Sequence, residues 1–371
     1  MVTFILTGEQ EELRATVRRF LGRQSSEPEV RRVMETAAGY DPAVWAQMAE
    51  QLGLQALAVP EEFGGFGADR VTQMIVFEEM GRALLCAPYF ATIALAANAL
   101  RECAGKDAQR AYLPGIADGT RVATVAISPD AGSGDPSAGS VRAEPGGEQW
   151  SLHGHADYVV DGQTAGLALV PAMTSDGLGL FAVEPPVAGL RADPIDALDQ
   201  TRKLARLTFD GVRARRIDAS GRTEAGLRRT LDLAAVALAA EQVGAARLCL
   251  ETSVDYARSR VQFGRAIGSF QAIKHRCADM FVSVEAATAV VHYAAWAAEF
   301  DEADLPTAAS LAKAYCSDVF REVASQTIQI HGGIGFTWEH RAHLYLKRAV
   351  ASSALLGSPV AHRQRLSQLV T

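Results

Sequence analysis

The chain has 371 residues, 49% of them hydrophobic, and 36 basic side chains against 43 acidic ones give a net charge of −7. That length suffices for a sizeable core and two or three domains, while the acidic balance argues against nucleic acid or an anionic membrane as a bulk partner. No unbroken run of eighteen apolar residues occurs, the start lacks a charged-then-apolar leader, and the five cysteines lack CxxC spacing, so the expectation is a cytoplasmic protein without a metal site or disulfide framework.

In chain order, residues 1–119 read as helices. Glu9–Leu21 sets Leu13, Val17, Phe20 and Leu21 on one face with charges opposite. Trp45, Met48, Leu52 and Leu54 mark a second helix, and residues 59–67, VPEEFGGFG, form a loop by their proline and glycines. Helix resumes over Val71–Leu85, with a break expected at Gly81-Arg82, and again over Ile93–Leu100. Character changes near Gly119-Thr120. Short β-prone runs follow: Val122–Ile127, Trp150–Leu152, Tyr158–Val160, Gly166–Val170, Gly179–Val183 and Leu204–Phe209. Separated by Gly, Pro and Asp, they predict a compact antiparallel barrel or sandwich over residues 120–218. Beyond Arg216, Ala225–Arg258, Gln271–Phe300 and Thr307–Ile330 are long helical stretches, and residues 219–371 read as a four-helix bundle. The fold class is α+β, with a β-domain between two helical ones.

Two glycine-punctuated clusters lie in the last domain. Residues 260–265, RVQFGR, place a cation, an amide and an aromatic within four positions, and Gly268-Ser269-Phe270-Gln271 restarts a helix with Ser269 as a plausible N-cap. A helix that ends in a polar cluster, turns on Gly264 and Gly268 and resumes brings amides and a guanidinium to one point, as a pyrophosphate needs. Residues 329–337, QIHGGIGFT, supply three glycines within four positions, which permits close backbone approach to a ligand or positive φ. Together, RxQFGRxIGxFQ and QIHGGIGF resemble the acyl-CoA dehydrogenase family of flavoproteins, and WxxMAEQLGLxxLxVPEEFGGFG resembles its amino-terminal helical domain. The resemblance spans the chain in the family's domain order.

That resemblance implies FAD-dependent α,β-dehydrogenation of an acyl-CoA thioester, with electrons passed to an electron-transfer flavoprotein. A carboxylate removes the α-proton while the β-hydrogen leaves as hydride to the flavin, and hydrogen bonds polarise the carbonyl as the enolate develops. The family's glutamate belongs to a Glu-Gly-Thr run, and the matching run here is Leu356-Gly357-Ser358. The glycine is kept and the carboxylate is not, although the Leu356 N–H can still donate to a thioester. The alternative base position, on the helix leading into RVQFGR, falls on Ala234. Two turns further, roughly 10 Å along the axis, Glu241 lies on nearly the same face. A carboxylate in so apolar a helix has either a buried partner or a purpose; unpaired, its pKa rises toward the range of a general base. Glu241 is the candidate base.

The flavin contacts divide in the same way. The family's isoalloxazine runs correspond to residues 127–134, ISPDAGSG, and 158–162, YVVDG, where Ile127 and Val160 replace threonines and Ser133 and Tyr158 remain. The residues that reach a neighbouring subunit's FAD are intact: Arg260, Gln262, Phe263, Gln271, Gln329, Gly332 and Gly333. Three readings follow: a self-sufficient homotetramer using Glu241, a non-catalytic subunit completing a homologous partner's FAD site in a heterotetramer, or a flavin oxidase or monooxygenase on the same scaffold. His331 contacts the cofactor or caps a helix, and Arg213, Arg215 and Arg216 meet the CoA phosphates or form an exposed charge cluster. Ala234, Ala235, Ala239 and Ala240 permit a roomy acyl pocket.

Overall fold

The computed structural model describes residues 6–127, 140–146, 149–219 and 221–370. Helices α1 (Gly8–Gln24), α2 (Glu27–Met34), α3 (Pro42–Glu50), α4 (Arg70–Arg82), α5 (Asn98–Cys103) and α6 (Lys106–Ala117) come first. Their starts are written locally. Thr7 and Gln10 exchange side-chain and backbone hydrogen bonds at α1, and Asp41 caps α3 ahead of Pro42. Phe90–Ala97 is an eight-residue π-helical stretch running into α5, where an α-helix over Ile93–Leu100 was the expectation.

The strands are β1 (Ala123–Val125), β2 (Arg142–Gly146), β3 (Gln149–Val160), β4 (Leu167–Thr174), β5 (Gly177–Val183), β6 (Leu190–Ile195) and β7 (Leu204–Arg216). Pairing runs β4-β2-β3-β7-β5 and returns from β5 to β4, so five strands close a ring, with β1 joined to β4 and β6 to β7. Closure removes the open edges of a flat sheet, and Leu152, Val170, Phe181, Leu207 and Phe209 fill the interior. The runs Trp150–Leu152 and Tyr158–Val160 belong to one strand, β3, whose register against β7 shifts at Leu152/His153 and again at Ala156/Val159. Gly154, at φ +121°, lets the strand continue, since a Cβ there would lie 2.2 Å from Ser140 O. Strands β2 and β6 escape sequence reading because each carries a proline, Pro145 and Pro194.

Helix α7 (Thr223–Ser259) is the axis of the helical layer. A two-residue-per-strand hairpin, β8 (Val261–Gln262) and β9 (Arg265–Ala266), leads into α8 (Gln271–Phe300), followed by α9 (Leu305–His331), α10 (Gly333–Phe336), α11 (Ala342–Ala354) and α12 (Pro359–Leu369). Helix α4 ends at Arg82, where the Gly81-Arg82 break was expected, and Gly81 also serves packing. A Cβ at Gly81 would lie 2.0 Å from Glu241 O, and one at Gly244 would lie 1.8 Å from Glu78 O. These glycines let α4 and α7 cross at backbone contact, which joins the N-terminal helices and the C-terminal bundle in one core. Ala234, Ala235, Ala239 and Ala240 are buried in that same core, so they pack helices together. Ser269 caps nothing: it closes a short 3₁₀ turn, and α8 starts beyond Phe270. Both α7 and α8 are long and apolar enough to cross a bilayer by length and composition, but 89% of the α7 window is buried inside the fold against 44% for α8. Helix α8 thus leaves Phe281 and Val282 uncovered.

Candidate functional site

The first cluster is built by a tight reversal after α7. Gln262 pairs with Arg265, so Phe263 and Gly264 are the two residues of a hairpin turn, at φ +54° and +75°. Positive φ at both positions is the type I′ signature. Glycine adopts it freely, while a phenylalanine there is strained. Arg265 lies 4.0 Å over the Phe270 ring, and Phe270 meets Phe263 edge-on at 6.0 Å. The stack presents Phe263 outward, 91% exposed. Arg260 is exposed and forms no ion pair among the described residues, and Gln262 donates only to the neighbouring Val261 carbonyl.

The second cluster follows α9. Gly332 takes φ +62° and ψ −138°, a conformation essentially reserved for glycine. Cβ atoms built at Gly332 and Gly333 meet nothing within 4 Å, so this backbone stands open. Gln329 and Gln271 are exposed, Gln271 lying 3.5 Å from His275. The two clusters meet through their supporting helices: Tyr256, one turn before Arg260, stacks on His331 at 4.4 Å. His331 is buried, with Nδ1 2.7 Å from Thr327 O, and burial lowers its pKa against the opposing effect of that carbonyl. It is a support beneath the glycine turn.

Glu241 occupies a different place. Nineteen residues of helix separate it from Arg260, about 28 Å along α7, so the two serve different points. Its carboxylate lies 2.5 Å from Arg202 Nη2 and 3.7 Å from Arg348 Nη1. Arg348 in turn lies 2.6 Å from Asp199 and donates to Thr201. Arg202 stacks over Phe90 at 4.7 Å, and Lys203 donates to Met34 O. The segment Asp199–Lys203 before β7 is thereby tied to α2, the π-helical stretch, α7 and α11. The Glu241 carboxylate is thus occupied by two guanidiniums, which is the buried-partner alternative, and a carboxylate committed to that pairing is not free to approach a substrate proton.

Tyr158, at φ +55°, sits on the β3 register shift and is half exposed; Val160 is buried, and its carbonyl accepts from Thr124. Asp161 follows at φ +53°, and burial raises its pKa to about 7 against the pull of Arg202 and Arg348. Ser133 lies outside the described residues.

Leu356 is buried at φ +58°. Its turn is gripped through carbonyls: Lys313 Nζ lies 3.1 Å from Ser353 O and 3.0 Å from Gly357 O, and His362 Nε2 lies 2.8 Å from Leu356 O. Lys313 also reaches Ser317, which bonds Gln242 on α7. Burial pulls the lysine pKa down to about 7 and the histidine pKa to about 4. Of the basic run, Arg215 lies over Tyr112 and Arg216 pairs with Asp218. Sequence reading passes over Arg202, Arg348, Lys313 and His362. The one available signal was a lone lysine in the alanine-rich face of α9.

Residues 7–120 match the acyl-CoA dehydrogenase N-terminal domain and residues 226–369 the C-terminal domain. Acyl-CoA dehydrogenase IpdE2 of Mycobacterium tuberculosis is 38% identical over 362 residues, covering 98% of this chain and 97% of the relative. Among solved structures, a variant of the Tcur3481-Tcur3483 steroid ACAD superposes with a TM-score of 0.88 at 34% identity, covering 98% of this chain and 97% of that one. The ChsE4-ChsE5 complex from Mycobacterium tuberculosis gives a TM-score of 0.90 at 26% identity, covering 100% and 99%.

Proposed function

The chain belongs to the acyl-CoA dehydrogenase family, and from that premise we propose that it is one half of a two-subunit, FAD-dependent acyl-CoA dehydrogenase. One observation carries this reading. The diphosphate-facing residues lie on open surface, while both base positions are inert and the nearby carboxylate of Glu241 is held by Arg202 and Arg348. The uncommitted Arg260 and the open backbone at Gly264, Gly332 and Gly333 fit a diphosphate. The isoalloxazine-facing edge fits less well, since Ile127 and Val160 carry no hydroxyl.

In this reading Arg260 binds the diphosphate, Gln262, Gln271 and Gln329 donate around it, and Phe263 covers apolar cofactor surface in a homologous partner. When bound, FAD supplies the two-electron acceptor for the β-hydrogen. The α-proton goes to a carboxylate of the partner, because Leu356 and Ala234 accept none. Phe263, Phe281, Val282 and Phe336, all exposed, suit burial against that partner rather than water. The solved relatives that carry two subunit names support the pairing, and the steroid named for one of them supports a ring-bearing acyl group. Electrons then pass to an electron-transfer flavoprotein.

The test is dye-linked turnover of an acyl-CoA panel by the chain purified alone and by the chain co-expressed with a homologous subunit. Activity only in the pair is the expected result. Turnover by the chain alone overturns the proposal, and peroxide without added acceptor points to an oxidase instead.

A further inference from the structure

His331 packs against two rings. Tyr256 of α7 stacks on it with centroids 4.4 Å apart and planes 24° from parallel, and the His340 ring lies against it, also at 4.4 Å, with planes 43° apart. The Nδ1–H donates to Thr327 O one turn back on α9, and the imidazole is buried. The turn closes directly on it: a Cβ at Gly335 would come within 2.9 Å of the His331 Cβ and of Ile328 O. His340 in turn accepts from the Ala342 N–H at the start of α11. One imidazole therefore joins the end of α7, the end of α9 and the 337–341 segment.

We propose that His331 is a positioning residue that holds the Arg260 hairpin and the Gly332-Gly333 turn in one fixed relation, so that both engage the same dinucleotide diphosphate. This rests on the reading of that face as a cofactor-binding surface. Neither cluster secures the relation by itself. Among the described residues Arg260 is anchored by backbone bonds to Tyr256 and Ile267 alone, neither of which reaches the glycine turn, and Cβ atoms built at Gly332 and Gly333 meet nothing within 4 Å. A neutral ring suits the role, because it stacks on Tyr256 without the cost of burying a charge.

Three substitutions separate the contributions. His331→Leu removes the stacking and the donor, His331→Phe keeps the stacking alone, and His331→Asn keeps a donor without the ring. Two readouts apply: hydrogen exchange of the 260–266 and 332–337 amides in the purified chain, and FAD retained by the chain co-expressed with its homologous subunit. His331→Leu is expected to speed exchange in both segments together and to weaken FAD retention by roughly tenfold or more, the worth of one to two ring contacts. His331→Phe is expected to restore retention to within about threefold of the parent, by the same estimate. Arg260→Ala serves as reference. If Arg260→Ala releases FAD while His331→Leu retains it, or if only one segment loosens, the positioning role is wrong. If Arg260→Ala itself retains FAD, the cofactor-face reading fails instead.

Discussion

Replacing Glu241 by glutamine distinguishes a clamp from a base. In the structure the carboxylate is about nine-tenths buried and lies against Arg202 at 2.5 Å and Arg348 at 3.7 Å, both guanidiniums being largely buried themselves. Glutamine keeps the volume and one acceptor but removes the charge, leaving Arg202 and Arg348 to share Asp199 and Asp161. Breaking a buried pair from one side costs about 3–5 kcal/mol, and the retained acceptor places this change near the lower end. For a chain of 371 residues unfolding as one unit, about 3 kcal/mol lowers the melting temperature by roughly 4 °C. Calorimetry of the purified variant measures this directly, and the double variant with Arg202→Met recovers part of the loss, since it removes the stranded cation as well. Dye-linked turnover of the assembled enzyme is measured in parallel, with most of the parent kcat expected to persist. Unchanged melting together with abolished turnover would refute the clamp and restore Glu241 as the base.

Two further outcomes follow from buried charges elsewhere. Lys313→Met leaves the carbonyls of Ser353 and Gly357 without their donor, at about 1–3 kcal/mol for each buried orphan; loss of melting temperature with faster exchange of the 355–358 amides is expected, and unaltered exchange contradicts the grip. Asp161 takes up its proton near pH 7 when folded and near 3.8 otherwise. The native state therefore binds more protons than the unfolded state between those values, and its stability falls as pH rises across that window. Asp161→Asn abolishes this dependence, so its advantage over the parent is expected to grow by about 2–4 kcal/mol from pH 4 to pH 8, whereas a pH-independent difference argues against a carboxyl whose burial outweighs its cationic neighbours.

The order helix, barrel, helix was legible because each part carries its own pattern: the 3.6-residue stripe of α1, the short continuous apolar runs of β4 and β5, the proline-free alanine tract of α7. The break at Gly81-Arg82 was legible, since α4 ends at Arg82; the packing use of Gly81 was not, because only the approach of Glu241 O reveals it. The turns at Gly264 and Gly332 were readable because both glycines take positive φ. The environment of Glu241 was not, since Arg202 and Arg348 stand 39 residues before and 107 after it in sequence, and their meeting depends on how the barrel seats against α7 and α11. Whether a carboxylate is free or paired is a fact about neighbours distant in the chain.

On the proposed function, this chain completes a flavin site it shares with a different subunit. Native mass spectrometry of the co-expressed pair, with flavin counted by absorbance per assembled mass, tests it most directly. An assembly containing both chains is expected, with one FAD for each pair and none held stoichiometrically by this chain alone. A homo-oligomer of this chain carrying one FAD per protomer would contradict it.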